Sequence, residues 1–391
     1  MIKWMQQLQR RTPLGWLQLS HEPSRLLVAL AGIAFADVLI FMQLGFQAAL
    51  YDSNTRLNRA LMADLVLISP KARNNQNLST FSRRRLYQAM DVPGVQAGEA
   101  VYVNTIVWKN PQTLGDATIQ VLGFDPVRPV FNLLEVNQQL DKLKLPDTVL
   151  FDRGSRGQYK KIIPQLEEGK TLKTEIERRT ISISGVFTLG ASFGADGTLI
   201  TSDQTFLRLF PRRDVASISV GLIRLHPGAN LLQTADALRA YLPNDVKVLT
   251  AQDYVRFEED YWKTESPIGF IFGLGTAMAF VVGVVIVYQV LSTDVNAHLR
   301  EYATFRAMGY HNSYLLIVVF EEALILSILG FIPGTILPLG LYALVANVTA
   351  LPMYMTMERA VTVLILTIVM CGLSGAIATR KLRLADPADM F

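Results

Sequence analysis

Cysteine is almost missing from this chain: Cys371 is the single example in 391 residues. No disulfide can form within the chain, and no cysteine-based metal site exists. Histidine is nearly as scarce. His21, His226, His298 and His311 show no spacing such as H-E-x-x-H that would hold a metal. Strong charge of one sign is lacking as well. The net charge is +4, and no basic block interleaves with aromatics, so nucleic acid is not an expected partner. A nucleotide loop is also missing. Gly169-Lys170-Thr171 ends like a Walker A loop, but its first glycine would have to stand where Pro164 is, and no buried strand precedes it. The stretch reads as a polar turn, and the chain is expected to hold no cofactor, metal or nucleotide of its own. No nucleophile–base pair is visible either, which argues against an enzyme.

What the chain does have is apolar length. Half of its residues are hydrophobic and its mean hydropathy is positive, +0.28. That composition suits a membrane protein with a large extramembrane part. Four long apolar runs are expected to cross a bilayer, at residues 26–50, 268–291, 314–341 and 360–379. The fold class is therefore four transmembrane helices with a large α+β domain, residues 51–267, inserted between helices 1 and 2.

Residues 1–25 carry Lys3, Arg10, Arg11 and Arg25 among Trp4, Leu8, Trp16 and Leu17. They read as an interfacial helix on anionic headgroups. A cleaved signal peptide is the rival. Its apolar core would be too long, and no small-residue cleavage site closes it before Tyr51-Asp52. In the first span, Asp37 falls near the middle. A carboxylate there costs about 2.5–3.5 kcal/mol on insertion scales, so it should face protein or water, most simply at a helix–helix contact. Gly269 and Gly273 in the second span form a G-x-x-x-G. That spacing permits close dimer packing, although glycine is common in membrane helices anyway. Glu321 and Glu322 lie about two turns into the third span, where Pro333 and Pro338 can kink the helix. The spans show no paired charges that would mark an ion path.

The inserted domain spans about 215 residues, enough for its own core. Short runs rich in Val, Ile and Thr predict strands at 64–69, 101–108, 117–123, 148–151, 180–187, 198–201 and 218–225. Asp196-Gly197 predicts a hairpin turn. Helical spacing appears at 81–90, 231–242 and 251–264. Residues 53–64 and 251–264 are expected as two stalks continuous with spans one and two, with Tyr261 and Trp262 at the membrane interface.

Residues 292–313 are the one substantial polar interval between the second and third spans. Leu299, Tyr302, Phe305 and Gly309 share one face of a short helix, which Gly309 can end in the left-handed conformation. Arg300, Glu301 and Arg306 set charge beside that stripe. Such a helix can enter a partner's groove as a peg, or lie on headgroups as an ordinary amphipathic loop. Orientation follows from Lys and Arg. Lys3, Arg10, Arg11, Arg25, Arg300, Arg306, Arg380, Lys381 and Arg383 cluster on one side, against Arg359 alone in the connection 342–359. Both ends (including the tail 380–391) and the 292–313 loop are then cytoplasmic, and the large domain faces the other side.

Arg300-Glu301 followed by Arg306-Ala307-Met308-Gly309 resembles the R-E-x-x-x-x-[RK]-A-[LM]-G pattern of the MacB/FtsX/LolC permease family of ABC systems. The likeness extends from Leu14, through the stretch 16–37, to Ala385-Asp386-Pro387-Ala388-Asp389. Within the family it is similar to the DevC-type permeases of cyanobacterial exporters. The resemblance implies that residues 299–309 (Leu299, Arg300, Glu301, Tyr302, Phe305, Arg306, Ala307, Met308 and Gly309) form a coupling helix that docks on a separate ATPase. It implies that ATP and Mg are bound by that DevA-like partner. It further implies a homodimer in a bacterial inner membrane, a DevB-like periplasmic membrane-fusion protein, an outer-membrane TolC-like channel, and a lipidic cargo such as a glycolipid. Glu321 and Glu322 resemble the acidic position that the family carries early in its third span. An FtsX-like regulator of a cell-wall hydrolase and a LolC-like lipoprotein-extracting permease are the alternatives within the same resemblance.

Overall fold

The computed structural model describes residues 21, 23–176, 179–298, 304, 308 and 312–379. The chain forms two compact units. The first draws on Met1–Ala48, Phe270–Ala346 and Met353–Phe391. Among the described residues, four helices are long and apolar enough to cross a membrane: α1 (Pro23–Ala60), α9 (Pro267–Ala297), α10 (Asn312–Thr349, apolar over Leu316–Thr349) and α11 (Met357–Ala378). Each contains most or all of one apolar run read from the sequence; α1, α9 and α10 extend beyond the run at both ends, and α11 begins earlier, at Met357. The helix continues while its backbone bonds are satisfied internally, so it does not stop where the apolar run stops. Pro333 and Pro338 both lie inside the unbroken α10. Thr356 caps α11 by accepting the Arg359 N–H at 3.2 Å. Ala29, Ile33, Ala36, Leu291, Leu326 and Met370 are buried together where the helices meet.

The second unit, Ala49–Gly269 with Asn347–Pro352, is built on a nine-stranded mixed sheet. Its strands are β1 (Leu65–Ile68), β3 (Val95–Lys109), β4 (Asp116–Phe124), β5 (Thr148–Asp152), β6 (Leu172–Ile176), β7 (Arg179–Phe187), β8 (Gly197–Ser202), β10 (Val220–Leu225) and β11 (Lys247–Thr250). The order is β11-β1-β10-β3-β4-β8-β5-β7-β6, and Trp108 of β3 also pairs with Ile176 of β6. The far edge of the sheet therefore curls back on its long central strand. β4–β8 and β5–β7 are parallel; the other strand neighbours are antiparallel. A separate ribbon joins β2 (Phe81–Ser82) to β9 (Ser217–Ile218).

Both faces of this sheet are covered, which explains why β1 and β5 read as unbroken apolar runs. Alternate residues feed two cores: Leu65, Leu67, Val149 and Phe151 on one side, and Val66, Ile68 and Leu150 on the other. Trp108, Phe151 and Tyr159 form the aromatic centre of the first core, with ring centroids 4.8–6.3 Å apart. Phe124 and Phe131 meet edge-on at 5.4 Å in the second. Helices α2 (Arg84–Met90), α6 (Asp203–Leu209) and α7 (Leu231–Tyr241) contribute Leu86, Phe206 and Leu238 to the first core.

Three expectations for this unit change. Asp196-Gly197 is not a hairpin turn. It starts β8, which runs parallel to β4, and the Asp196 carboxylate accepts the Thr118 N–H at 3.1 Å. The second stalk is not continuous with its span. Helix α8 (Ala251–Asp260) passes into a π-turn (Tyr261–Glu265), and Ser266 is extended at φ −82°, ψ 131° before Pro267 opens α9. Proline imposes this: it pushes the residue before it out of helical conformation and then sits readily in the first turn of the next helix. Trp262 is buried, not at an interface. By contrast, Gly169 does end a helix. It follows α5 (Ile163–Glu167) at φ +84°, and Lys170 N–H reaches back to Gln165 at 3.0 Å, as a glycine cap should.

Candidate functional site

Most of the predicted coupling helix lies outside the described residues: Leu299, Arg300, Glu301, Tyr302, Phe305, Arg306, Ala307 and Gly309. Thr304 is helical, and Met308, 61 % exposed, donates its N–H to the Thr304 carbonyl at 3.0 Å. That bond has helical i, i+4 spacing. On the near side, α9 runs to Ala297, so Asp294 belongs to its last turn and not to a loop. His298 Nδ1 lies 3.6 Å from Asp294 Oδ1.

Asp294 was not among the residues that the sequence singles out, yet it meets one that was. It lines one cavity with Glu322, which is fully buried on α10. Glu321 is adjacent in sequence and only partly exposed, but points to another face. Among the described residues, the spans therefore bring two acids to one cavity. This escaped notice because Asp294 falls just past the apolar run that marks the second span.

Asp37 is fully buried, as its position demands, and its Oδ1 accepts the Thr367 hydroxyl of α11 at 2.6 Å. A Cβ on Gly334 of α10 would stand 2.8 Å from the Asp37 side chain. Asp37 thus joins three helices, which is the contact expected of an uncharged or hydrogen-bonded carboxyl in a span. The two glycines of the G-x-x-x-G differ. A Cβ on Gly269 would fall 2.1 Å from the Trp262 carbonyl, so that glycine is required by its own chain. Gly273 has nothing within 4 Å of the same point and faces open space.

A polar knot in the second unit was not legible beforehand. Glu258 of α8, fully buried, accepts the Trp262 indole N–H at 2.8 Å and the Asn75 backbone N–H at 2.7 Å. Asn75 in turn donates to the Asn54 carbonyl at 3.0 Å, and Asn58 donates to the Tyr254 carbonyl at 3.0 Å. The Tyr254 hydroxyl closes the set on Asn75 Oδ1 at 3.1 Å. The end of α1 and the length of α8 are thereby tied through one loop. Burial pushes the Glu258 carboxyl up to about 7, against the pull of its two N–H donors. Burial and the neighbouring Glu258 raise the Tyr254 hydroxyl too.

Residues 273–387 match the family model described as FtsX-like permease C-terminal. This part of the chain is similar to the C-terminal permease domain of that family. No curated protein matches the chain. Among solved structures, the chain is similar to the periplasmic region of MacB from Actinobacillus actinomycetemcomitans, at 10% identity and TM-score 0.34, over 52% of this chain and 95% of that one. It is also similar to the extracellular domain of the noncanonic ABC-type transporter YknZ from Gram-positive bacteria, at 13% identity and TM-score 0.31, over 48% and 99% of the two chains. The matched stretch holds Asp294, Glu321, Glu322 and Thr367, together with residues 299–309. Asp37 stands outside the matched stretch and reaches it through Thr367.

Proposed function

We propose that the chain is the permease subunit of a MacB-like ABC exporter, driven by an ATPase on a separate polypeptide. The observation that carries this reading is the FtsX-like permease match over residues 273–387, set on four spanning-capable helices with the large domain inserted between the first two. ATP and Mg belong to the partner. Residues 299–309 receive its motion from the cytoplasmic side, where both termini also lie by the distribution of Lys and Arg. The permease acts as a homodimer, with Gly273 at its interface. The inserted domain faces the periplasm and works on cargo there.

The finer assignment rests on the R-E-x-x-x-x-[RK]-A-[LM]-G pattern and the N-terminal likeness. It is a DevC-type permease of a cyanobacterial inner membrane, with a DevA-like ATPase, a DevB-like membrane-fusion protein, a TolC-like outer-membrane channel and a glycolipid cargo. Charge reversal at Arg300, Glu301 and Arg306 tests the coupling role. The variant should insert and bring down its ATPase, yet export should no longer follow ATP hydrolysis. Full coupling in that variant refutes the role. Co-purification tests the class: an exporter brings a membrane-fusion protein, and recovery of a cell-wall hydrolase instead would make the chain a regulator.

A further inference from the structure

The hairpin between β3 and β4 turns through residues 110–115, and Leu114 there is both exposed and strained. It is 72 % exposed and sits in the left-handed region at φ +58°. A bulky side chain clashes in that conformation where glycine does not, and a leucine in water has no packing to offset the clash. The turn is nonetheless built to hold it. Asn110, buried at the base, accepts the N–H groups of Gln112 and Thr113 on its side chain at 2.8 and 3.2 Å. Its carbonyl accepts the Leu114 N–H at 2.8 Å, and its own N–H reaches the Gly115 carbonyl at 2.9 Å. Strain enforced by its surroundings in this way points to a working position.

Two lysines flank the tip. The Asn110 amide donates to the Gln158 carbonyl at 3.3 Å, and the Gln112 amide oxygen accepts the Lys161 N–H at 3.0 Å, so residues 158–161 lie along the turn. Lys160 and Lys161 are exposed and pair with no acid among the described residues. The other charges nearby cancel. Lys109 pairs with Asp116 at 3.4 Å, and Lys173 and Glu175 stand on either side of Thr174, whose hydroxyl bonds the Lys109 carbonyl. The tip is thus an apolar point with a basic flank.

Its place in the second unit indicates what it meets. Arg156 donates to the Thr349 carbonyl at 2.9 Å and to the Asp196 carboxylate at 3.0 Å. Asp196 is bonded in turn to Thr118 of β4, and the strand runs back from there to the tip, about 10 Å further on. The tip therefore stands at the same end of this unit as residues 347–352, which lead out of α10 toward α11. A connection between two spanning helices lies at a bilayer surface.

We propose that this tip is a foot on the membrane: Leu114 enters the headgroup boundary, and Lys160 and Lys161 hold the phosphates of anionic lipids. An apolar side chain and lysines acting together are the chemistry of an interfacial anchor. An acidic protein groove would suit the same residues, but the connection beside the tip favours lipid. The inference rests on reading α10 and α11 as spans, and the experiment separates the two.

The test uses the full-length protein in nanodiscs of phosphatidylcholine, alone or mixed equally with phosphatidylglycerol. Thr113→Cys places a thiol next to Leu114 without removing it; Thr113 is exposed, and the natural Cys371 is buried. An uncharged, membrane-impermeant maleimide then reports how often the tip leaves the lipid. Labelling should be about tenfold slower in the phosphatidylglycerol discs, within the range that two surface lysines supply. Adding Lys160→Glu and Lys161→Glu should bring the two rates together. Adding Leu114→Gly should speed labelling in both discs while the melting temperature holds or rises, because glycine suits φ +58°. Met278→Cys, 61 % exposed on α9, checks the spans and should stay unlabelled in both discs. Free labelling at Met278→Cys overturns the spans and the foot together. Protection there, with equally rapid labelling of Thr113→Cys in both lipids, overturns the foot alone. So does protection of Thr113→Cys that persists in detergent, which would mean a protein contact.

Discussion

Trp262, four residues after Glu258 and just before the helix breaks at Ser266, donates its indole N–H to the Glu258 carboxylate at 2.8 Å. The bond fixes the last ordered turn before the second span and holds a carboxyl group where no water reaches it. Its consequences for stability have a definite sign.

Glu258 titrates near 7 in the folded protein, raised from about 4.5 by burial. Between those values the folded chain holds a proton that the unfolded chain has released. Stability from this group is thus fully present below pH 4.5 and is lost as pH rises through about 7. The loss amounts to about 3 kcal/mol at most. Thermal melts of the detergent-solubilised protein from pH 5 to 8 should show it. Glu258→Gln should flatten that slope and lower stability at acid pH, because its amide nitrogen turns a donor toward a donor. A slope unchanged in the variant would remove Glu258 as its cause.

Asp152, fully buried at the end of β5, accepts the backbone N–H groups of Gly154, Leu189 and Gly190 at 2.8–3.0 Å. Arg56 donates to the Leu189 carbonyl at 3.1 Å beside it. Asp152→Ala leaves three partly buried backbone donors without their acceptor and should cost about 3 kcal/mol, read as a lower urea midpoint at unchanged slope. A loss under 1 kcal/mol would mean that the loop finds other acceptors.

Gly273→Leu and Gly283→Leu should part company. A Cβ on Gly283 would meet Met370 Sδ at 2.1 Å and Ala36 Cβ at 2.9 Å, so leucine there should disrupt the helix bundle and lower yield. Leucine at Gly273 meets nothing, so the protomer should melt as before while dimers weaken in light scattering. Intact dimers would take Gly273 out of the interface. Gly269 cannot serve in this comparison, since its substitution collides with the backbone of its own chain.

Thr367→Val removes the donor to Asp37 and should destabilise the bundle by about 1–3 kcal/mol. In a double-mutant cycle with Asp37→Ala the two losses should fall short of additive by about 0.5 kcal/mol or more. Strict additivity would show that the 2.6 Å contact contributes nothing.

The spans and most strands were legible because their signals are local. An apolar run longer than any core helix needs has one use, and Val- and Ile-rich segments such as 148–151 have few alternatives to a covered strand. β6 and β11 went unseen: Lys173 and Glu175 interrupt one, and the other is only four residues long. The first half of β3 was hidden by Gly98 and Glu99, which look like loop but pair with β10. Asp196-Gly197 misled because a turn signal is judged on its neighbours, whereas β8 takes its place from strands distant in the chain. The same limit hid the Asn75 knot and the cavity shared by Asp294 and Glu322. Asp37 was legible in kind, as a carboxyl needing company; the identity of Thr367, 330 residues away, was not.

Cys371 is fully enclosed between helices. A reagent that seeks thiols from water therefore finds no target on the native protein. A cysteine placed at Gly273, Val28 or Met308 becomes the single addressable handle, with no need to remove the natural one first. Spin labels, dyes and cross-linkers can thus report on the open face of α9, the start of α1 and the stretch around Met308 one at a time, in a background that stays silent.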